Sequence, residues 1–65
     1  MKTNLRKRRD ALNLSRLSLG RLAGVSKETI KNLETLPNQN PTLKTVQAIA
    51  SALNADVNDI FPIGD

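Results

Sequence analysis

The sequence predicts an all-α domain of five short helices, and three observations predict it. Apolar residues recur with a helical period, most clearly at Leu43, Val46, Ile49, Ala50 and Leu53, and no segment alternates with a strand's period of two. A residue able to cap a helix precedes each segment: Thr3, Ser15, Ser26, Thr42 and Asp56. Residues that end helices follow at Asn13, Gly24, Asn54 and Pro62. At 65 residues the chain is one domain, 1–65. A domain of this size buries only about 60% of its unfolded surface, so its stability is expected to be marginal.

The first helix is expected from about Thr3 to Leu12 with Thr3 as N-cap. Leu5 and Leu12, one heptad apart, face inward on either side of Arg8 and Arg9, and Asn13 supplies a left-handed exit. Ser15 caps the second helix, about Arg16 to Ala23, with Leu19, Leu22 and Ala23 apolar. Gly24 ends it, since glycine takes a positive φ without a Cβ clash. Ser26 caps the third helix, about Lys27 to Thr35, whose inner face carries Ile30 and Leu33, while Val25 plugs the turn. Leu36 to Pro41 reads as a loop, bounded by Pro37 and Pro41 and filled with Asn38, Gln39 and Asn40. Thr42 caps the fourth helix, whose stripe begins at Leu43 and which stops near Asn54. Asp56 caps the last, Val57 to about Phe61, ended by Pro62.

Composition narrows the function. With neither cysteine nor histidine, the chain cannot build a zinc finger, a His-based acid–base site or a Ser–His or Cys nucleophile, and no enzymatic function, cofactor or metal is expected. No run approaches the roughly 20 apolar residues that span a bilayer, and the basic N-terminus has no apolar run behind it to make a secretory signal. The expectation is a soluble protein that stays in the cytoplasm, with no membrane partner. The net charge of +4 is unevenly spread. Residues 1–31 hold nine of the ten basic residues against Asp10 and Glu28, a balance of +7. Residues 32–65 hold Lys44 against Glu34, Asp56, Asp59 and Asp65, a balance of −3. Such polarity suits a basic side that meets a polyanion, with the run Arg6, Lys7 and Arg8 either solvated or steering it. The sole aromatic, Phe61, gives no platform for stacking single-stranded bases.

The stretch Leu14 to Glu34, LSRLSLGRLAGVSKETIKNLE, is the most specific segment. It places two short helices around a tight turn at Gly24. Gly20 costs about 1 kcal/mol of helix propensity relative to alanine, so its place inside a helix calls for close backbone approach. Leu19, Ala23, Val25, Ile30 and Leu33 would bury together, leaving Lys27, Glu28, Lys31 and Asn32 outward on the second helix of the pair. This is the spacing of a helix-turn-helix, over about 15–35, whose second helix enters a major groove of DNA.

In these residues the chain resembles the repressor and Cro-type (xenobiotic-response-element-like) helix-turn-helix regulators of lambdoid phages and their bacterial relatives. The likeness covers about residues 4–61: LS at Leu14–Ser15, LxxxAGVS from Leu19 to Ser26, TIxxLE from Thr29 to Glu34, NPTL from Asn40 to Leu43, IAxAL from Ile49 to Leu53, and DIF from Asp59 to Phe61. It implies a lambda-repressor-like fold and sequence-specific binding of double-stranded DNA as a transcription regulator, acting as a repressor. A prokaryotic or phage origin and association with the nucleoid follow from the same likeness.

The resemblance also assigns roles. Lys27, Glu28 and Asn32 read bases, and Lys31 takes a base or a phosphate. Arg16, where the family usually has glutamine, contacts phosphate at the start of the second helix together with Ser15. Arg9 pairs with Glu34, its spare donors touching phosphate, and Thr35, Asn38 and Asn40 add loop contacts to the backbone. Glu28 either accepts from cytosine N4 or pairs with a neighbouring lysine. Three features depart from the pattern: Gly20 in place of a common alanine, Thr35–Leu36 after Glu34, and an uncharged loop one residue longer than usual. One recognition helix covers few base pairs, so a weak homodimer that firms up on DNA is expected, with half-sites about 34 Å apart. Its contact would come from Leu36, Pro37, Ile60, Phe61 and Ile63, although Leu36 could instead fill the core. The alternative is an antitoxin or other protein-interaction module that binds a partner protein and regulates its own promoter.

Overall fold

A computed structural model describes residues 3–36 and 39–62. Its elements are α1 (Leu5–Ala11), α2 (Arg16–Ala23), α3 (Lys27–Thr35), α4 (Leu43–Ala52) and α5 (Val57–Ile60), with no strand among the described residues. The all-α expectation holds, and α2 and α3 have the expected bounds.

The helix starts follow from local chemistry. The hydroxyl of Ser15 accepts from the Ser18 amide at 3.0 Å, that of Ser26 from Thr29 at 3.1 Å, and that of Thr42 from Thr45 at 3.2 Å. Each satisfies one of the donors that a helix N-terminus leaves orphaned. Asn13 and Asn54 exit with φ of 56° and 54°, and Gly24 with 75°.

The first helix departs from expectation. It begins at Leu5, one residue later than a Thr3 cap requires, with Asn4 at the cap position but no side-chain cap bond. Asn4 instead reaches across the fold. Its amide donates to the Ile60 carbonyl at 2.8 Å and its side chain to the Asp59 carbonyl at 3.0 Å. These are carbonyls that the end of α5 cannot satisfy internally, so the chain's beginning closes its last helix.

All five helices feed one core: Leu5, Leu19, Ile30, Leu33, Val46, Ile49, Ala50, Leu53, Ile60 and Phe61. α2 lies centrally, against α3 on one side and α4 on the other, while α1 packs on α3 and α5 on α4. Leu5, Leu19, Ile30, Ile49 and Ile60 are wholly buried, each contributing about 1.5–3 kcal/mol of transfer free energy. Leu12 and Leu43, expected to face the core, and Leu22, read only as apolar, point outward. Leu12 is 51%, Leu22 63% and Leu43 66% exposed. Leu12 lies past the end of α1, and Leu22 and Leu43 fall on helix faces that no other helix covers. No described helix is long and apolar enough to cross a membrane.

Candidate nucleic-acid interface

The two helices of the motif are held together at both ends. At the turn, the amides of Gly24 and Val25 both donate to the Gly20 carbonyl, the latter at 2.8 Å. A Cβ on Gly20 would stand 2.6 Å from the Val25 carbonyl oxygen. The absence of a side chain there is what lets the turn fold back onto α2, as the mid-helix glycine suggested.

At the far end, Glu34 joins α1, α2 and α3. Its side chain is fully buried. Oε2 accepts from Arg9 Nε at 2.7 Å, while Oε1 accepts from Arg9 Nη2 at 3.1 Å and from Arg16 Nε at 3.0 Å. Burial alone would raise this carboxyl's pKa. The hydrogen bonds from Arg9 and Arg16, with their charges, outweigh it and hold Glu34 below the usual carboxylate range. The Arg9–Glu34 pair was legible in the sequence. The Arg16–Glu34 bond was not, because nothing in a spacing of eighteen residues signals it.

With its inner face so anchored, α3 turns Lys27, Glu28 and Lys31 to solvent and leaves Asn32 half-buried, while Ile30 and Leu33 face the core. Glu28 forms no ion pair among the described residues, so the pairing alternative is not realised there. Beside Asn32 runs a cleft of about 290 Å³ lined by Thr29, Gln39, Asn40, Pro41, Thr42 and Thr45 among others. It brings Asn32 and Asn40 to one surface, although they come from a helix and a loop. Gln39, Thr42 and Thr45 were not foreseen as members of this surface. Gln39 lay in a stretch read as loop, Thr42 was read as the α4 cap, and Thr45 was not singled out.

The expected phosphate contacts divide. Arg16 is partly exposed, and with Nε taken by Glu34 its terminal nitrogens have no partner among the described residues. Ser15 lies exposed next to it, its hydroxyl engaged as the α2 cap and bonded to Ser18 Oγ at 3.0 Å. Arg9 does not fit the phosphate role. It is only 8% exposed, and its third donor goes to the Leu14 carbonyl at 2.8 Å, so it serves the fold. Thr35 gives its hydroxyl hydrogen to the Lys31 carbonyl at 2.8 Å and offers an anion only lone pairs. Asn38 and Pro37 lie outside the described residues, as does Ile63.

Within the basic run, Arg6 lies 3.7 Å from Asp10 and Arg8 lies 3.8 Å from Asp59, exposed pairs that stabilise little but offset the run's charge in place. Ile60 and Phe61, expected at a dimer contact, are buried in the monomer core and have no surface to offer a second copy. Leu36, expected either in the core or at that contact, caps the end of α3 and stays exposed.

Comparison with known proteins agrees with this geometry. A helix-turn-helix family model matches residues 5–60. A protein of Archaeoglobus fulgidus described as an uncharacterized HTH-type transcriptional regulator is 38% identical over 61 residues, which cover 94% of this chain and 84% of that protein. The match spans every helix from Leu5 to Ile60. The chain therefore belongs to the helix-turn-helix family, with the Cro/C1-type DNA-binding fold.

Proposed function

We propose that this DNA-binding transcription regulator reads a near-palindromic operator as a repressor, with α3 laid in the major groove. The observation that carries this is the sorting of α3: Lys27, Glu28 and Lys31 are exposed on one side, Asn32 borders the loop cleft, and Ile30 and Leu33 anchor the other. Lys27 and Asn32 supply donors suited to guanine and adenine edges, and Glu28 an acceptor suited to cytosine N4. Lys31, one turn on, reaches a base or the flanking phosphate.

Register on the duplex comes from backbone contacts. In this reading Arg16, the amides at the starts of α2 and α4, and Asn40 supply the donors for such contacts. A second copy would double the site length, and the exposed Leu36 beside α3 is the described residue suited to that contact. The domain performs no chemistry in this reading and acts in the cytoplasm, by occupying DNA.

Selection from random duplexes followed by footprinting tests the proposal. The expected result is an enriched site with two-fold symmetry and half-sites about 34 Å apart. Equal retention of all sequences, or an asymmetric footprint of one half-site, refutes specific reading or pairing respectively. A promoter carrying the selected site should lose transcription when the protein is supplied, and gain would refute repression.

A further inference from the structure

Glu34 is placed to do more than close the core. Its Oε1 receives both Arg9 Nη2 and Arg16 Nε, so a single buried oxygen links the innermost arginine to the one proposed to meet DNA. Arg9 is fixed in turn by the Leu14 carbonyl, one residue before the α2 cap. The carboxylate therefore has a rigid seat and cannot follow Arg16 if that side chain swings away.

Holding a guanidinium by Nε leaves its two terminal nitrogens as a planar fork, the geometry that takes two phosphate oxygens together. Arg9 is also paired with Asp10, whose carboxylate lies 3.3 Å from its Nη1, so the positive charge left toward solvent is that of the partly exposed Arg16. We infer that Glu34 is a positioning residue for DNA binding: it pre-sets Arg16, through the Nε bond, as a two-donor clamp for one backbone phosphate. This rests on the reading of Arg16 as a phosphate contact. Without the Nε bond, Arg16 would have to lose its rotamer freedom at the moment of binding, a cost of order 2- to 10-fold in affinity.

The test measures affinity of the full chain for a 20-base-pair duplex of random sequence across a salt series, at low temperature with the folded fraction followed by circular dichroism. Four proteins form the core of the experiment: wild type, Glu34→Ala, Arg16→Ala and the double variant. Glu34→Ala removes both acceptor oxygens and should weaken binding by about 2- to 10-fold when Arg16 is present and by nothing further when it is alanine. Arg16→Ala should lower the salt slope by about 0.9, one phosphate. Glu34→Asp keeps Arg9's counter-charge but is too short to hold Arg9 twice and still reach Arg16, and should show the same coupling if Glu34→Ala folds poorly. An equal loss in both Arg16 backgrounds would show a purely structural Glu34 and overturn the inference. An unchanged slope in Arg16→Ala would remove the phosphate contact itself, and absence of duplex binding by the wild type would remove the functional reading beneath it.

Discussion

Replacing Glu34 with glutamine should cost this domain about 3–5 kcal/mol, the range for leaving one partner of a buried pair uncompensated. The structure supports the figure independently. The carboxylate accepts three charge-assisted hydrogen bonds, from Arg9 at 2.7 and 3.1 Å and from Arg16 at 3.0 Å. A glutamine keeps one acceptor oxygen and turns an NH2 group toward donors that have nothing to give it. At the Oε1 position that oxygen still accepts from Arg9 Nη2 and Arg16 Nε, so the 2.7 Å bond, about 1.5–3 kcal/mol, is lost outright, and the rest of the cost is the missing counter-charge and the misdirected NH2. Arg9, 8% exposed, cannot reach water in compensation. For 65 residues at about 0.05–0.15 kcal/mol each, total stability is of order 3–10 kcal/mol, so one substitution removes much of it. Urea titration followed by circular dichroism would show the midpoint fall, and Tm should drop by roughly 12 °C or more. The deficit should depend on pH. Because the folded carboxyl titrates below its unfolded value of about 4.3, its stabilisation is complete above that pH and is lost as pH falls through the folded value. Wild type and variant should therefore converge in acid. A loss below about 1 kcal/mol at pH 7, or a deficit that does not shrink in acid, would refute the buried-pair argument.

Four other outcomes follow from the same geometry. Gly20→Ala sets about 1 kcal/mol of helix propensity against the cost of a Cβ 2.6 Å from a backbone oxygen, about 1–3 kcal/mol; the clash should win, and a variant more stable than wild type on thermal melting would refute the close approach. Asn32→Ala should reduce preference for the selected site over random duplex by about 1–3 kcal/mol in competition binding, and an equal loss on both would assign Asn32 to phosphate. Arg16→Ala should weaken binding to every duplex alike, so a loss confined to one sequence would argue for base reading. Leu22→Glu should change stability by no more than about 0.5 kcal/mol on urea titration, since the side chain is mostly exposed; a loss above 1.5 kcal/mol would mean that Leu22 is buried.

Much of this protein can be read from its sequence because its signals are local. Caps at Ser15, Ser26 and Thr42 bond an amide three residues on, and Gly24 answers a turn that its own φ permits. Such features need only a few neighbouring residues, which is why α2 and α3 end where expected. The stripe from Val46 to Leu53 and the pairing of Arg9 with Glu34 were also legible, the second through resemblance.

What tertiary structure decided lies wherever a residue's fate depends on a distant element. Leu12, Leu22 and Leu43 look apolar enough for a core, yet no helix covers them. Ile60 and Phe61 look available to a second copy, yet α5 folds them inward. Asn4 reads as an ordinary position after a threonine cap until its bonds to the α5 carbonyls show why α1 starts late. Arg16 alone reads as a phosphate contact; only packing α2 on α3 puts its Nε 3.0 Å from a buried carboxylate. Helix bounds are set by bonds within a turn of chain. Exposure and charge pairing are set by which faces the assembled helices leave to water.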